Sequence, residues 1–382
     1  MSHTLTISNC RAVLVDRVLP AATIHIEKGI IREIVADASG APAGFDASGR
    51  LVGPGFVDVH CHGDGSRRIF TDPEAVSLNL LRQGATTVAA TLGYPDMVVD
   101  GLAAQLRSYT SVLGPWGKEL SGGVHLEGPY VNRKYGAQTS RGVIKNPDAA
   151  EYRALLREFG SLITWWTCAP ELPGATAFIR EASALGVVVA AGHTEATPDQ
   201  IAAAIDAGLK VITHWTNATG NPNAAAYKGT RCPGIDEAAL VYDELFAEII
   251  PDEKGLHVHP LMAKLLYKAK GPERILIITD AGYGRPDDSP DPPGSRRDVS
   301  IDGDGNLAGS RLTMAGAALN FRTFTGCSWP ELFRMAALNP ARLLGMGDRV
   351  GSIEPGKLAN LIVFDDALGI DRTYIRGQEV PR

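Results

Sequence analysis

Cysteine is scarce in this chain. The five residues (Cys10, Cys61, Cys168, Cys232 and Cys327) are odd in number and form no Cys-x-x-Cys pair, so neither a disulfide framework nor a cysteine zinc site is indicated. Blocks of basic residues are missing as well, and a formal net charge of -6 leaves no electrostatic footprint for nucleic acid. No apolar run reaches the roughly 20 residues that a membrane-spanning helix needs, and the opening "MSHTLTISNC" lacks the charged-then-apolar layout of a signal peptide. The expectation is a cytoplasmic chain with neither nucleic acid nor membrane as partner. Internal repeats and low-complexity tracts are absent too, while 45% hydrophobic and 21% charged residues supply the material for a packed enzyme core.

What is present has a clear order. Both ends read as short strands: "TLTISNCRAVLV" and "ATIHIEKGIIREIV" at the start, "GSIEPGKLANLIVFDD" and "RTYIRGQEV" at the finish. Between them, apolar runs such as "TTVAATL", "GGVHLEG", "GVVVAAGHT" and "ILIITDA" alternate with segments of helical periodicity, "EYRALLREFG" and "PDQIAAAIDAG" among them. Such alternation calls for a parallel sheet covered on both faces. The number of units favours a closed (β/α)8 TIM-type barrel over an open doubly wound sheet. The reading is therefore an α/β chain with a metal-dependent hydrolase barrel over 54–345 and a small β-sandwich domain from 1–53 and 346–382.

Polar residues sit where a barrel builds its chemistry. In "PGFVDVHCHGDG" the alternation of a strand puts His60 and His62 on one face and Val59 and Cys61 on the other. Glu127, Glu171, His193, His214 and Asp280 likewise fall at or just after the ends of apolar runs, on the rim that barrel enzymes use. Imidazole and carboxylate are ligands of borderline to hard divalent ions, and a catalytic site leaves a position open for water. Each residue alone has a plain structural explanation, a buried histidine bonded to a carbonyl or a carboxylate capping a helix. Six such groups at strand ends in one chain, Glu171 aside, are hard to treat as independent accidents.

"PGFVDVHCHG", "HLEGPY", "APE", "AGHTEAT", "THWTNAT", "GLHV", "ITDA", "LAGSRLTMAGA", "NPARLLG" and "GSIEPGKLANLIVFD" occur in the order found in the amidohydrolase superfamily. The chain most resembles its N-acetylglucosamine-6-phosphate deacetylases. That resemblance implies a divalent metal, one or two ions per subunit, with zinc the first choice and iron, manganese or cobalt as others. Glu127, His193 and His214 would hold the main ion, and His60 and His62, with Glu127 bridging, a second; Asp280 beside them would be the acid/base. In the implied reaction Asp280 accepts a proton from the attacking water, His257 steadies the oxyanion, and Asp280 passes the proton to the departing amine.

The resemblance also implies substrate contacts at Gln138, Asn217, Ala218, Arg231 and His257. The Asn217 and Ala218 amides and Arg231 would meet a sugar phosphate, with Arg231 reaching the neighbouring site in a homodimer. Gln138 stands in "YGAQ" where the family commonly has a histidine, and Thr219 follows Ala218 where it commonly has methionine. The expected activity is removal of an N-acetyl group from an amino-sugar phosphate. The alternative is an N-acyl-amino-acid or other amide hydrolase on the same barrel, in which Arg231 would bind a carboxylate. A non-catalytic sugar or metal binder would have no use for Asp280.

Overall fold

The structure, a computed structural model, describes residues 4–36, 44–93, 97, 101–135, 144–220, 232–282, 298–301 and 307–382. The chain begins with five strands, β1 (Thr4–Val13), β2 (Val18–Glu27), β3 (Ile30–Ala36), β4 (Phe45–Asp46) and β5 (Leu51–Pro54). β1, β2 and β3 form an antiparallel meander, turned at Lys28-Gly29 with both residues in the left-handed region.

Eight parallel strands follow: β6 (Phe56–Cys61), β7 (Ala85–Leu92), β8 (Ser121–Glu127), β9 (Ile163–Cys168), β10 (Val188–Ala191), β11 (Val211–Ile212), β12 (Phe246–Ile249) and β13 (Ile275–Ile277). Each pairs with the next, and the end of β13 returns to β6: Asp280 N–H donates to His60 O at 2.9 Å and Ala281 bridges to Cys61. The ring is closed as a barrel. Its strands are almost wholly buried, as parallel strands covered on both faces must be.

The covering helices are α1 (Pro73–Arg82), α2 (Leu102–Val112), α3 (Pro115–Leu120), α4 (Ala149–Phe159), α5 (Ala175–Ala184), α6 (Pro198–Ala207), α7 (Ile235–Val241) and α8 (Pro260–Lys270). α4 shows why they form. The Asp148 side chain caps its first turn by accepting from Ala150 N–H at 2.8 Å, and Tyr152, Leu155, Leu156 and Phe159 make one buried stripe. Burying each of these stabilises the fold by roughly 1.5–3 kcal/mol. α6 starts with a reciprocal Thr197–Gln200 capping box and stops at Gly208, whose φ of 114° suits glycine.

The last strands, β14 (Val299–Ile301), β15 (Leu307–Ser310), β16 (Leu361–Phe364), β17 (Ile370–Ile375) and β18 (Gln378–Glu379), end the chain. β14 and β15 pair with each other beside the barrel rim, whereas β16–β18 join the N-terminal strands in one eight-stranded sheet. Alternation in β16 assigns its two faces. Leu361 and Val363 pack into a separate small core with Ile7, Ile24 and Val52, while Ile362 and Phe364 pack into the barrel's core. The terminal sheet is thereby fastened to the barrel through apolar contact.

Candidate metal centre at the strand ends

The barrel interior beneath the rim is polar, where such interiors are usually filled by branched apolar side chains. Asp58 and His60 point inward from β6. His125 Nε2 lies 2.9 Å from Thr167 Oγ1, which lies 3.0 Å from Thr213 Oγ1, so the contacts step across from β8 to the end of β11. Each of these residues is buried and hydrogen-bonded through at least one side-chain atom, as the cost of stranding a buried polar group favours.

Above this layer the strand ends deliver the ligand-type residues. His60 and His62 leave β6 on one face, and the Cys61 thiol between them turns away onto Gly63 O at 3.1 Å. Glu127 closes β8. His193, His214 and Asp280 follow β10, β11 and β13 with φ of 48°, 29° and 47°. Left-handed backbone costs about 1–2 kcal/mol at a non-glycine residue and persists only where surroundings enforce it. Here backbone bonds do so: Asn132 N–H donates to His193 O at 2.8 Å, His214 N–H to Glu248 Oε2 at 3.1 Å, and Ser310 N–H to Asp280 O at 2.8 Å.

The side chains converge on Glu127. Its Oε1 lies 2.9 Å from His193 Nε2, 3.2 Å from His214 Nε2 and 3.4 Å from His60 Nε2, and its Oε2 lies 3.1 Å from His62 Nε2. Asp280 Oδ1 sits 3.5 Å from His60 Nε2 and 3.3 Å from His62 Nε2. Two triads emerge, His60–His62–Glu127 and Glu127–His193–His214, each with ligand atoms within 4.8 Å of one another. This donor set fits divalent metal ions, and His60 Nε2, buried and without a hydrogen-bond partner among the described residues, is aimed at the cluster.

Electrostatics follow from the packing. Burial alone would lower the His60 ring pKa, but the Glu127 and Asp280 carboxylates raise it well above its ordinary value. His62 is pushed up to about 9 against the same burial by hydrogen bonds to Asp280 and Glu127. The carboxylates move the other way: burial opposes ionisation, yet the histidines hold Glu127 well below, and Asp280 below, the usual range. Without metal, protons therefore occupy the positions that cations would take.

A supporting shell fixes the rings. His193 Nδ1 lies 2.6 Å from Tyr135 O, His214 Nδ1 3.1 Å from Asn217 O, and His60 Nδ1 3.1 Å from Glu248 Oε2. Each contact places the Nδ1 proton and leaves Nε2 free to ligate. Glu171 is part of this shell and not of the cluster, accepting from Asn132 Nδ2 at 2.8 Å, from Thr194 Oγ1 and from Glu195 N–H. His257 Nδ1 lies 3.2 Å from Asp252 Oδ2, and its buried Nε2 has no partner among the described residues. His259 caps α8 by accepting from Leu261 N–H. Asn217 N–H donates to His214 O and Ala218 O accepts from Thr194 N–H, so this loop is tied to both histidine turns. Gln138 and Arg231 lie outside the described residues.

Sequence reasoning passed over four contributors. Glu248 in "LFAEII" is a lone acid in an apolar strand, Asp58 shares the face of His60 and His62, and Asp252 precedes "GLHV" by a few residues. Glu248 and Asp58 were polar residues in an apolar setting, the one signal available; Asp252, in "PDEKG", had none. Gly93 carries no such signal, yet a Cβ there would stand 2.6 Å from Glu127 Oε2 and 2.7 Å from His62 Cε1.

The comparisons with known proteins agree with this geometry. The amidohydrolase family pattern matches residues 51–380. This chain belongs to the amidohydrolase family. Among curated relatives, the N-acetylglucosamine-6-phosphate deacetylase of Bacillus subtilis (strain 168) is 30% identical over 99% of this chain and 97% of its own. The N-acetylgalactosamine-6-phosphate deacetylase of Escherichia coli O157:H7 is 31% identical over 86% of this chain and 87% of its own. Among solved structures, an aspartate-to-alanine mutant of the Mycobacterium smegmatis N-acetyl-D-glucosamine-6-phosphate deacetylase, in complex with N-acetyl-D-glucosamine-6-phosphate, superposes with a TM-score of 0.86 at 28% identity, covering 99% of this chain and 100% of that one. The family is metal-dependent, and the two triads of this amidohydrolase could hold such an ion. Among the described residues, no helix is long and apolar enough to cross a membrane.

Proposed function

We propose that this amidohydrolase removes the N-acetyl group from N-acetylglucosamine 6-phosphate, giving glucosamine 6-phosphate and acetate. The observation that carries the reading is the convergence of four histidines on Glu127 with Asp280 against two of them, in a chain alignable end to end with deacetylases of that substrate. One or two divalent ions, zinc first among candidates, would be held by Glu127, His193 and His214 and by His60, His62 and Glu127, and would supply Lewis-acid polarisation of a carbonyl and a water acidified toward a pKa of about 7.

The protein's own groups do the rest. Asp280, kept ionised by the histidines beside it, accepts the proton of the attacking water at a carboxylate oxygen and hands it to the amide nitrogen as the C–N bond breaks. His257 Nε2 steadies the oxygen of the tetrahedral intermediate. Asp252 orients that ring from its Nδ1 side and stays ionised there: burial opposes its ionisation, but His257 and backbone N–H groups hold its pKa below the ordinary value. Arg231 and the Asn217–Ala218 loop are assigned to the phosphate and Gln138 to a sugar hydroxyl, with Arg231 supplied by the second subunit of a homodimer.

The Escherichia coli relative supports a second reading, that the galactosamine epimer is the substrate. Acetate release from N-acetylglucosamine 6-phosphate, N-acetylgalactosamine 6-phosphate, unphosphorylated N-acetylglucosamine and a panel of N-acyl amino acids separates these. Turnover confined to one phosphorylated sugar supports the proposal and selects the epimer. Equal turnover without the phosphate removes the role given to Arg231, and turnover of acyl amino acids alone overturns the substrate class.

A further inference from the structure

Glu248 belongs to neither ligand triad, yet it holds one ligand of each. It lies on β12, fully buried. Its Oε2 accepts from the His60 ring at Nδ1 (3.1 Å) and from the backbone N–H of His214 (3.1 Å), and its own carbonyl accepts from Trp215 N–H at 2.8 Å. Oε1 has no hydrogen-bond partner among the described residues. A carboxylate stripped of water is costly to bury unless donors compensate it. The side chain's two donors both come from histidines of the cluster and both meet one oxygen.

We propose that Glu248 is a positioning residue that sets both halves of the metal centre from that single oxygen, and that it acts more strongly on an ion held by His60, His62 and Glu127 than on one held by Glu127, His193 and His214. The inference rests on reading the two triads as metal sites. Its asymmetry comes from how each histidine is held. Glu248 grips His60 through the ring itself, fixing the proton on Nδ1 and the lone pair on Nε2, the atom that faces Glu127 and Asp280. It grips His214 only through the backbone, while that ring keeps an independent partner in Asn217 O. Removing the carboxylate frees one ring and leaves the other seated.

The test is zinc titration of metal-stripped wild type, Glu248→Ala, Glu248→Gln and His62→Ala in competition with a chromogenic chelator, alongside thermal unfolding of each metal-free protein. Wild type should bind two ions. Glu248→Ala should lose roughly 10- to 100-fold in affinity for one class of site, the class that His62→Ala abolishes, with the other class unchanged within a few-fold. Glu248→Gln keeps an acceptor oxygen without the charge and should lose less, in the same class. It carries the test if the alanine variant does not fold. Equal losses in both classes, or unchanged affinities with only a lower melting temperature of the metal-free protein, overturn the proposal. So does a wild type that binds a single ion at the class His62→Ala leaves intact. A wild type that binds no zinc overturns the metal reading itself, which is a separate result.

Discussion

The two halves of the metal centre reach the same chemistry by different construction. His60 stands on β6 and His62 just past its end, strand alternation puts both rings on one face, and the His60 ring is braced by a side chain, Glu248. His193 and His214 stand past their strands in left-handed backbone, and their rings are braced by main-chain carbonyls, Tyr135 O and Asn217 O. One half is held by side chains and the other by the fold of its loops. Single substitutions should therefore move the first half readily, whereas the second should respond mainly to changes that unseat whole turns.

Asp280 tests whether that division has functional weight, because it is placed by left-handed backbone but rests against His60 and His62. Asp280→Asn preserves shape and removes the proton acceptor. Turnover should fall by about 10²–10⁴-fold, while metal content read by elemental analysis stays at the Glu127–His193–His214 triad. Retained turnover would remove Asp280 from proton transfer and shift that role to the His257–Asp252 pair.

Proton competition should also differ between the halves. Metal needs neutral imidazole, and in the metal-free protein His60 lies well above its ordinary pKa, His62 at about 9 and His193 above its ordinary value. Groups with raised pKa are protonated below it, so lowering pH weakens binding. The rise is larger at His60 and His62 than at His193, so loading the first half meets the stronger proton competition. Zinc affinity should thus climb more steeply with pH in the first class than in the second, flattening in the first as pH passes about 9. Calorimetric titration in buffers of different ionisation enthalpy counts these protons directly, and identical counts would erase the distinction.

The same division explains what was legible in the sequence. Strand alternation exposed His60 and His62, and the strand-helix rhythm exposed the barrel, because both are local periods. Glu127, His193, His214 and Asp280 were visible as polar residues ending apolar runs, but their left-handed turns were not, since histidine and aspartate carry no obligatory turn signal as glycine does. Glu248 was hidden for a different reason. Its partner His60 lies 188 positions away, and no local pattern records which strands face each other across a closed barrel. The two-faced terminal sheet shows the opposite case, in which Leu361, Ile362, Val363 and Phe364 announce two buried faces by being apolar at every position.

Gly93 offers the gentlest way to press on the side-chain-held half. It follows β7 directly, and its missing side chain leaves the room in which Glu127 Oε2 and the His62 ring meet. In Gly93→Ala a methyl group would arrive 2.6 Å from that oxygen and 2.7 Å from His62 Cε1, closer than real Cβ contacts come, so one or both must shift by several tenths of an ångström. Glu127 is tied to three other histidines whereas His62 meets only Glu127 and Asp280 among the cluster's carboxylates, so His62 should be the group that yields. Overpacking of this kind costs about 1–3 kcal/mol, and most of it should appear as weaker binding of the ion His62 helps to hold, by about tenfold, with the other class and the melting temperature of the terminal sheet unaffected. Equal weakening of both classes would mean that Glu127 had moved instead, and that the two halves share more of their support than their separate braces suggest.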